Sequence, residues 1–415
     1  MRLRLAGALI ATCVPAAPIP AAADGVLKKG DWAAHGFAAE RKAGLRAFVK
    51  GSFEHKQSVG GALLLAHRGE VIFEEGFGYA DLKTKRPFLP DTPCRIASIS
   101  KPIVATLLVR LAARGELDLE APVDRYLPEF KALRLQSGKR PRRMPKVREL
   151  LSHTAGFTPD KEDRPWLSPA SRSKTLGEMV GLYASKGLYR NPGGACRYSG
   201  TGYDVAGRIL EVVTGKPLES VLQAELCRPL GLKSTTFYPG KALRKRAAER
   251  YWLWRSDLTF HRNTHRSAGR DATGGPPYPY TSVGGAVMST ARELAAFLMM
   301  HRNRGLHAGR RYVAEDALRQ MYEMRKPWPG YGMGFVLRAA EVKPGGRASC
   351  IHHSGSSGTL FWLDFEHDLL GVVVTQTAMS KGRPKPGADN EPPDRGPSFP
   401  KLVRAQVEKL LTPSP

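Results

Sequence analysis

The 415-residue sequence predicts an α/β (α+β) fold whose sheet is built from both ends of the chain. Strand-like runs lie near both termini, and helical spacing dominates the stretch between them. A second observation is the run "SISKPIVATLLVRLAARG", apolar on nearly every side, which places one long helix in the interior. No internal repeat competes with this single-unit reading.

Taken in order, the N-terminus reads "MRLRLAGALIATCVPAAPIPAAADG". Two arginines, a short apolar stretch and Ala21-Ala22-Ala23 make residues 1–23 a secretory signal peptide, with a mature chain from Asp24. Export to the periplasm or the medium follows as an expectation. Thr12 before Cys13 does not fit a lipoprotein signal, and no segment reaches the ~18 apolar residues of a membrane span.

Residues 38–57 have helical spacing at Ala43, Leu45, Phe48 and Val49. "GGALLLAHRGEVIFEEGFGYAD" reads as two strands around an Arg68-Gly69 turn. Residues 98–113 form the buried helix, stopped near Gly115, and short helices such as "VRELLSHTAGF" follow. Residues 201–215 read as a second buried helix closed by Gly215, and 256–281 as a polar loop. "TARELAAFLMMHRNRG" is an amphipathic helix capped by Thr290. "YGMGFVLRA", "TLFWLDFEH" and "LLGVVVTQTAM" are strand-like; 380–398 reads as a mobile surface loop, and "FPKLVRAQVEKLL" as a closing helix.

With 64 Lys+Arg against 38 Asp+Glu, the formal charge is +26. The denser basic runs, 138–148 and 242–250, contain no aromatic residue, which argues against nucleic acid as a partner and leaves a solvated surface with an attraction to anionic surfaces. Cys94, Cys196, Cys227 and Cys350 remain after the leader; free thiols and a bridge both stay open. No Cys-x-x-Cys occurs, and "HRNTH" (261–265) lacks the Glu of a zinc-protease helix, so no metal or other cofactor is expected.

The chemistry concentrates at Ser98 and Lys101. Ser-x-x-Lys recurs at Ser171–Lys174 and Ser398–Lys401, but only the first copy opens an interior helix. Residues three apart share a helix face, so Lys101 reaches Ser98. Burial disfavours an ammonium, which suits a lysine to act as a base, and free N–H groups at a helix start favour a developing alkoxide. Pro102 requires that the helix begin close to Ser98.

At these residues the sequence resembles the serine β-lactamase and penicillin-binding superfamily, in its class C-like branch. "SISK" (98–101) matches the nucleophile motif, "RYSGTGYDVAGRILEVVTG" lies in the segment of the Tyr-x-Asn motif, and "HHSGSSGTLFWLDF" (352–365) is similar to the Lys/His-x-Gly strand. "LLSHTAGF" and "SVGGAVMSTARELAAFL" also resemble family stretches; together these cover roughly residues 40–410. The resemblance implies one catalytic unit over 24–415. In it, 35–92 and 270–415 form an antiparallel sheet flanked by helices, and 93–269 an inserted, mostly helical subdomain.

The resemblance also implies roles. Ser98 would be acylated, Lys101 would take or relay its proton, and Tyr198 would act as partner base and protonate the leaving group. His353, Gly355 and Ser356 would form the substrate-binding strand, with the backbone N–H groups of Ser98 and Ser356 as the oxyanion hole. Strand neighbours point to opposite faces, so only one of His352 and His353 can face the cleft, and the spacing to Gly355 favours His353. A histidine at that position titrates near pH 6–7 and offers no fixed positive charge when neutral. His153 is a packing residue within a turn. One departure is Gly200, which stands where the family has Asn. The expected protein is an exported, metal-independent serine hydrolase acting through an acyl-enzyme on an ester, a D-amino-acid peptide or a β-lactam. The alternative is a non-catalytic relative that binds cell-wall peptide or another acyl ligand.

Overall fold

A computed structural model of the chain describes residues 27–55, 57–160, 171, 174–254, 259–262, 279–323, 330–338, 348–380 and 398–411. Residues 1–23, expected to be a signal peptide, and most of the 380–398 stretch, expected to be a loop, lie outside the described residues.

The main elements are α1 (Ala39–Glu54), β1 (Gly60–His67), β2 (Glu70–Asp81), α2 (Ser100–Ala113), α3 (Val147–Leu151), α4 (Leu176–Lys186) and α5 (Gly200–Thr214). They continue with β3 (Tyr251–Trp254), β4 (Thr259–Arg262), α6 (Ala291–Arg302), β5 (Cys350–Gly355), β6 (Thr359–Asp364), β7 (Leu369–Thr375), β8 (Thr377–Ser380) and α7 (Phe399–Leu411).

The central sheet runs Lys28–Lys29, β2, β1, β7, β6, β5, Val336–Leu337, with Arg86–Pro87 added on β2. Apart from the parallel Lys28–Lys29 edge, its pairings are antiparallel. The two chain ends meet where β1 pairs with β7, Leu64 opposite Val372. The β1–β2 hairpin turns at Arg68 and Gly69, both with positive φ (50° and 86°). That backbone twist matches the flanking strands.

β1 explains why its sequence is a continuous apolar run. All eight of its residues are buried, because both faces of the sheet are covered. Leu63 and Leu65 share one core with Leu45 and Val49 of α1 and Val403 and Val407 of α7. Ala62, Leu64 and Ala66 face a larger core that includes α2, α5 and α6. A period of two thus divides one strand between two cores. The four-residue spacing of Phe399, Val403, Val407 and Leu411 lays α7 along its sheet face. Thr290 caps α6 as expected, its Oγ1 accepting the Glu293 N–H at 3.2 Å.

Two expectations change. Only Val336–Leu337 of "YGMGFVLRA" joins the sheet. Within 256–281, residues 259–262 are not loop: β4 pairs with β3, and β3 pairs in parallel with β8. A polar four-residue strand has little local signal; its partner is the preceding strand β3, which the distant β8 anchors. The same sheet links Tyr251, from the middle of the chain, to Thr377, near its end. Cys94, Cys196, Cys227 and Cys350 are all free thiols. Among the described residues no helix is long and apolar enough to cross a membrane.

Trp362 is fully buried in β6 and lies across the ladder from Gly371 of β7. A Cβ at Gly371 would fall 2.0 Å from the indole. Gly371→Ala should therefore lower unfolding stability by about 1–3 kcal/mol through overpacking. The check is a lower urea midpoint with an unchanged denaturant slope.

Candidate active site

The Ser98 turn is made by three restraints. Residues Ala97–Ile99 form a single 3₁₀ turn that runs straight into α2. Ala97 sits at φ +47°, a left-handed conformation that costs an alanine about 1–2 kcal/mol. Ser100 holds it there. Its hydroxyl donates to Ala97 O at 2.7 Å and accepts the Val287 N–H at 3.1 Å, with the side chain fully buried. Pro102 is the third residue of α2, where its missing N–H removes no helical hydrogen bond.

β5 is pressed against this turn. A Cβ on Gly355 would lie 2.3 Å from Ile96 O and 3.2 Å from the Ala97 Cβ, so only glycine admits the strand here. The hydroxyls of Ser357 and Thr359 donate to Arg95 O (2.6 Å) and Ile96 O (3.1 Å). Ser356 is exposed in the turn between Gly355 and Gly358, closed by a Gly358 N–H to Gly355 O bond of 3.0 Å.

Lys101 is only 3% exposed. Its Nζ donates to Ser98 Oγ at 3.4 Å and to Gly284 O at 2.8 Å. It also lies 4.5 Å from the Tyr198 ring centre and 5.4 Å from that of Tyr203. The aromatic faces attract the cation, and the carbonyl satisfies a buried donor. Tyr203 is itself pinned through its hydroxyl to Leu151 O at 2.8 Å. Ser98 is half-buried, so a partly open nucleophile stands before a buried amine.

Tyr198, half-buried, leads into α5. His153, at φ +59°, packs beneath it with ring centres 4.4 Å apart. His153 does more than pack: its Nδ1 accepts the Ser199 N–H at 3.1 Å, which puts the ring hydrogen on Nε2. Gly200 is buried at the first position of α5 and donates its N–H to Asp160 Oδ1.

His353 faces this cleft, with its ring centre 6.4 Å from that of Tyr198. His352 points the other way, where the charges of Arg404, Arg338 and Lys401 reach it. Both His353 nitrogens are engaged, Nε2 with the Tyr331 hydroxyl and Nδ1 with Ser354 O, each at 2.9 Å. Burial, then the Lys101 charge, pushes its pKa down to about 3. The expectation of a histidine titrating near pH 6–7 is thus corrected: His353 is a neutral wall residue, held by tertiary contacts that its sequence position does not reveal. Tyr331, Gly284 and Ser100 belong to this site and were not singled out from sequence. "SVGGAVM" and the second serine of "SISK" were the available signals.

A family model described as Beta-lactamase matches residues 45–390. The chain belongs to the beta-lactamase family. Esterase EstB of Burkholderia gladioli is 36% identical over 209 residues, 48% of this chain and 52% of EstB, so the match spans about half the length of that relative. A penicillin-binding protein of Bacillus subtilis is 30% identical over 188 residues, 44% of this chain and 39% of that one. Among solved structures, EstCE1, described as a hydrolase with promiscuous acyltransferase activity, superposes with a TM-score of 0.68 at 24% identity, covering 82% of this chain and 94% of its own. That likeness establishes the shared fold: a mixed α/β architecture whose multi-strand sheet is flanked by helices.

Ser100→Ala should lower stability by about 1–3 kcal/mol, because it leaves the buried Val287 N–H without its acceptor. A fall in the thermal midpoint together with slower covalent labelling of Ser98 would be measured. An unchanged midpoint would mean that Ala97 is held by something else.

Proposed function

We propose that this protein is an exported serine hydrolase that acylates Ser98 and acts best on ester substrates. The observation that carries the reading is the pair Ser98–Lys101: a half-buried hydroxyl 3.4 Å from an amine that is otherwise buried and tied to Gly284 O. In this reading the Ser98 Oγ–H proton passes to Lys101, directly or through Tyr198, as Oγ attacks the acyl carbonyl. The tetrahedral oxyanion lies toward the backbone N–H groups of Ser98 and Ser356. Collapse breaks the bond to the leaving alkoxide, which takes the proton by way of Tyr198. Water then enters, gives up a proton to the same relay, and releases the acid and free Ser98.

The preference for esters rests on two features of the cleft. Gly200 has no side-chain amide to anchor a substrate amide group. Burial and the Lys101 charge push the His353 pKa down to about 3, so near neutral pH the wall strand offers no side-chain cation to a substrate carboxylate through this residue. An alkoxide also leaves more readily than an amide nitrogen and asks less of the protonating group. D-amino-acid peptides and β-lactams are the competing acyl donors within this reading. Export rests on residues 1–23, and protein from the native host should begin at Asp24 on N-terminal sequencing; a retained Met1 would refute it.

A fluorophosphonate probe should label wild-type protein at Ser98 and leave Ser98→Ala unlabelled. Lys101→Ala and Tyr198→Phe should each slow acylation by about 10²-fold or more. Their losses should fall short of adding in the double variant, since the groups act as a unit. Short-chain p-nitrophenyl esters should be turned over with kcat/KM at least equal to that for simple penicillins. Labelling that persists in Ser98→Ala would refute the nucleophile. A penicillin or cephalosporin preferred over every ester would refute the substrate class. Ligand binding without any Ser98 labelling would favour the non-catalytic relative.

A further inference from the structure

Close enough to Lys101 for the two charges to interact lies a carboxylate that the reaction outlined above does not use. Asp204 is on α5, one turn and a half after Tyr198, and is fully buried. Both its oxygens are occupied. Oδ2 accepts the hydroxyls of Tyr280 (2.6 Å) and Tyr183 (3.0 Å), and Oδ1 accepts the Val283 N–H at 2.8 Å. The next residue along, Gly284, presents the carbonyl that receives Lys101 Nζ. One peptide unit therefore separates the atom held by Asp204 from the atom that holds the lysine.

The segment is fitted closely on both sides. A Cβ on Gly207, three residues after Asp204, would fall 2.7 Å from the Val283 side chain. A Cβ on Gly284 would fall 3.0 Å from both Lys101 Nζ and the Tyr203 Cβ. Upstream, the Tyr280 N–H donates to Lys174 O at 2.7 Å, and the Tyr238 hydroxyl to Pro279 O at 2.7 Å. Such an arrangement has few alternative positions for the Gly284 carbonyl.

We propose that Asp204 is a positioning residue for Lys101: it holds the Val283–Gly284 segment against the lysine and keeps a carboxyl charge within reach of it. The proposal rests on the reading of Lys101 as the proton acceptor for Ser98. The groups facing Asp204 are Tyr183 from α4, Tyr280 from the segment before Val283, and, through its charge, Lys101 from α2; Tyr203 beside it on α5 turns toward Lys101. Burial raises the Asp204 pKa to about 7, against the opposing pull of Tyr280, Val283, Tyr183 and Lys101. Its charge thus changes within the working range of an enzyme assay.

Coupling between two sites is reciprocal, so it can be read from Asp204 without any turnover. The first measurement follows the Asp204 carboxyl carbon by NMR through a pH titration. Lys101→Ala should raise its midpoint by about half a unit or more, because a cation that favours the carboxylate is gone. The second is the pH dependence of Ser98 labelling. Asp204→Asn keeps an acceptor for the Val283 N–H but removes the titrating carboxyl, so the part of the profile that follows Asp204 should be lost and the midpoint displaced. Tyr280→Phe leaves the carboxylate short of one donor and protonated to higher pH, and should move that part of the profile to higher pH; it decides the matter if Asp204→Asn does not fold. An Asp204 midpoint untouched by Lys101→Ala would overturn the proposal. So would variants whose profiles keep the wild-type midpoint, whatever their height. A wild-type protein with the NMR coupling intact but no labelling at Ser98 would instead refute the hydrolase reading.

Discussion

A lysine amine with 3% exposure is the constraint on which the rest of this structure depends. Buried donors cost free energy unless they are satisfied, about 1–3 kcal/mol for an ordinary hydrogen-bonding group and more for a charged one. Lys101 meets that demand with Gly284 O, with Ser98 Oγ and with the faces of Tyr198 and Tyr203. These partners come from three parts of the chain: the turn before α2, the segment around Gly284, and the start of α5 with the residues that lead into it. The burial of α2, the path of residues 281–285 and the entry to α5 must therefore all be correct before the amine has a place. This is why a run as apolar as 98–113 tolerates a lysine at its head.

The same logic governs the approach of β5 to the nucleophile. The left-handed Ala97 and the missing side chain of Gly355 are complementary: the first turns the chain so that Ser98 faces the cleft, and the second lets the strand lie against it. Hydroxyls of Ser100, Ser357 and Thr359 donate to the carbonyls of residues 95–97, beside the Ile99 N–H that also reaches Ile96 O. Backbone strain of this kind persists only where surrounding contacts over-determine it. Here the contacts come from two segments, Ala97 and Ser100 on one side and Gly355, Ser357 and Thr359 on the other, and they join the sheet rigidly to the head of α2. An oxyanion site made of backbone N–H groups from both segments would inherit that rigidity.

His353 shows how packing changes the chemistry of a residue type. In water an imidazole titrates near neutrality. Enclosed beside Lys101 and bonded to Tyr331 and Ser354, this one stays neutral down to about pH 3. Asp204 is displaced in the opposite direction for a carboxylate, to about 7, by the same loss of water. The cleft thus keeps one group from acquiring positive charge and lets another gain or lose negative charge near neutral pH. Desolvation is the largest cause in both.

Much of this was present in the sequence. The helix at 98–113, the β1–β2 hairpin at Arg68-Gly69, the cap at Thr290 and the closing helix depend on spacing and on local turn chemistry, which a linear reading captures. The Ser98–Lys101 pair was legible for the same reason: a separation of three residues is a contact on any helix. Residues brought together from a distance were not legible by spacing. Tyr331 and Asp204 carry no local mark of their role, and β4 is too short and polar to announce itself before β3, itself paired with the distant β8, supplies its hydrogen bonds. Which face of β5 meets the cleft followed from strand alternation together with the spacing of His353 to Gly355, but the protonation state of His353 did not. Local geometry depends on neighbours in sequence, whereas desolvation and buried charge depend on neighbours in space, and only the folded chain decides those.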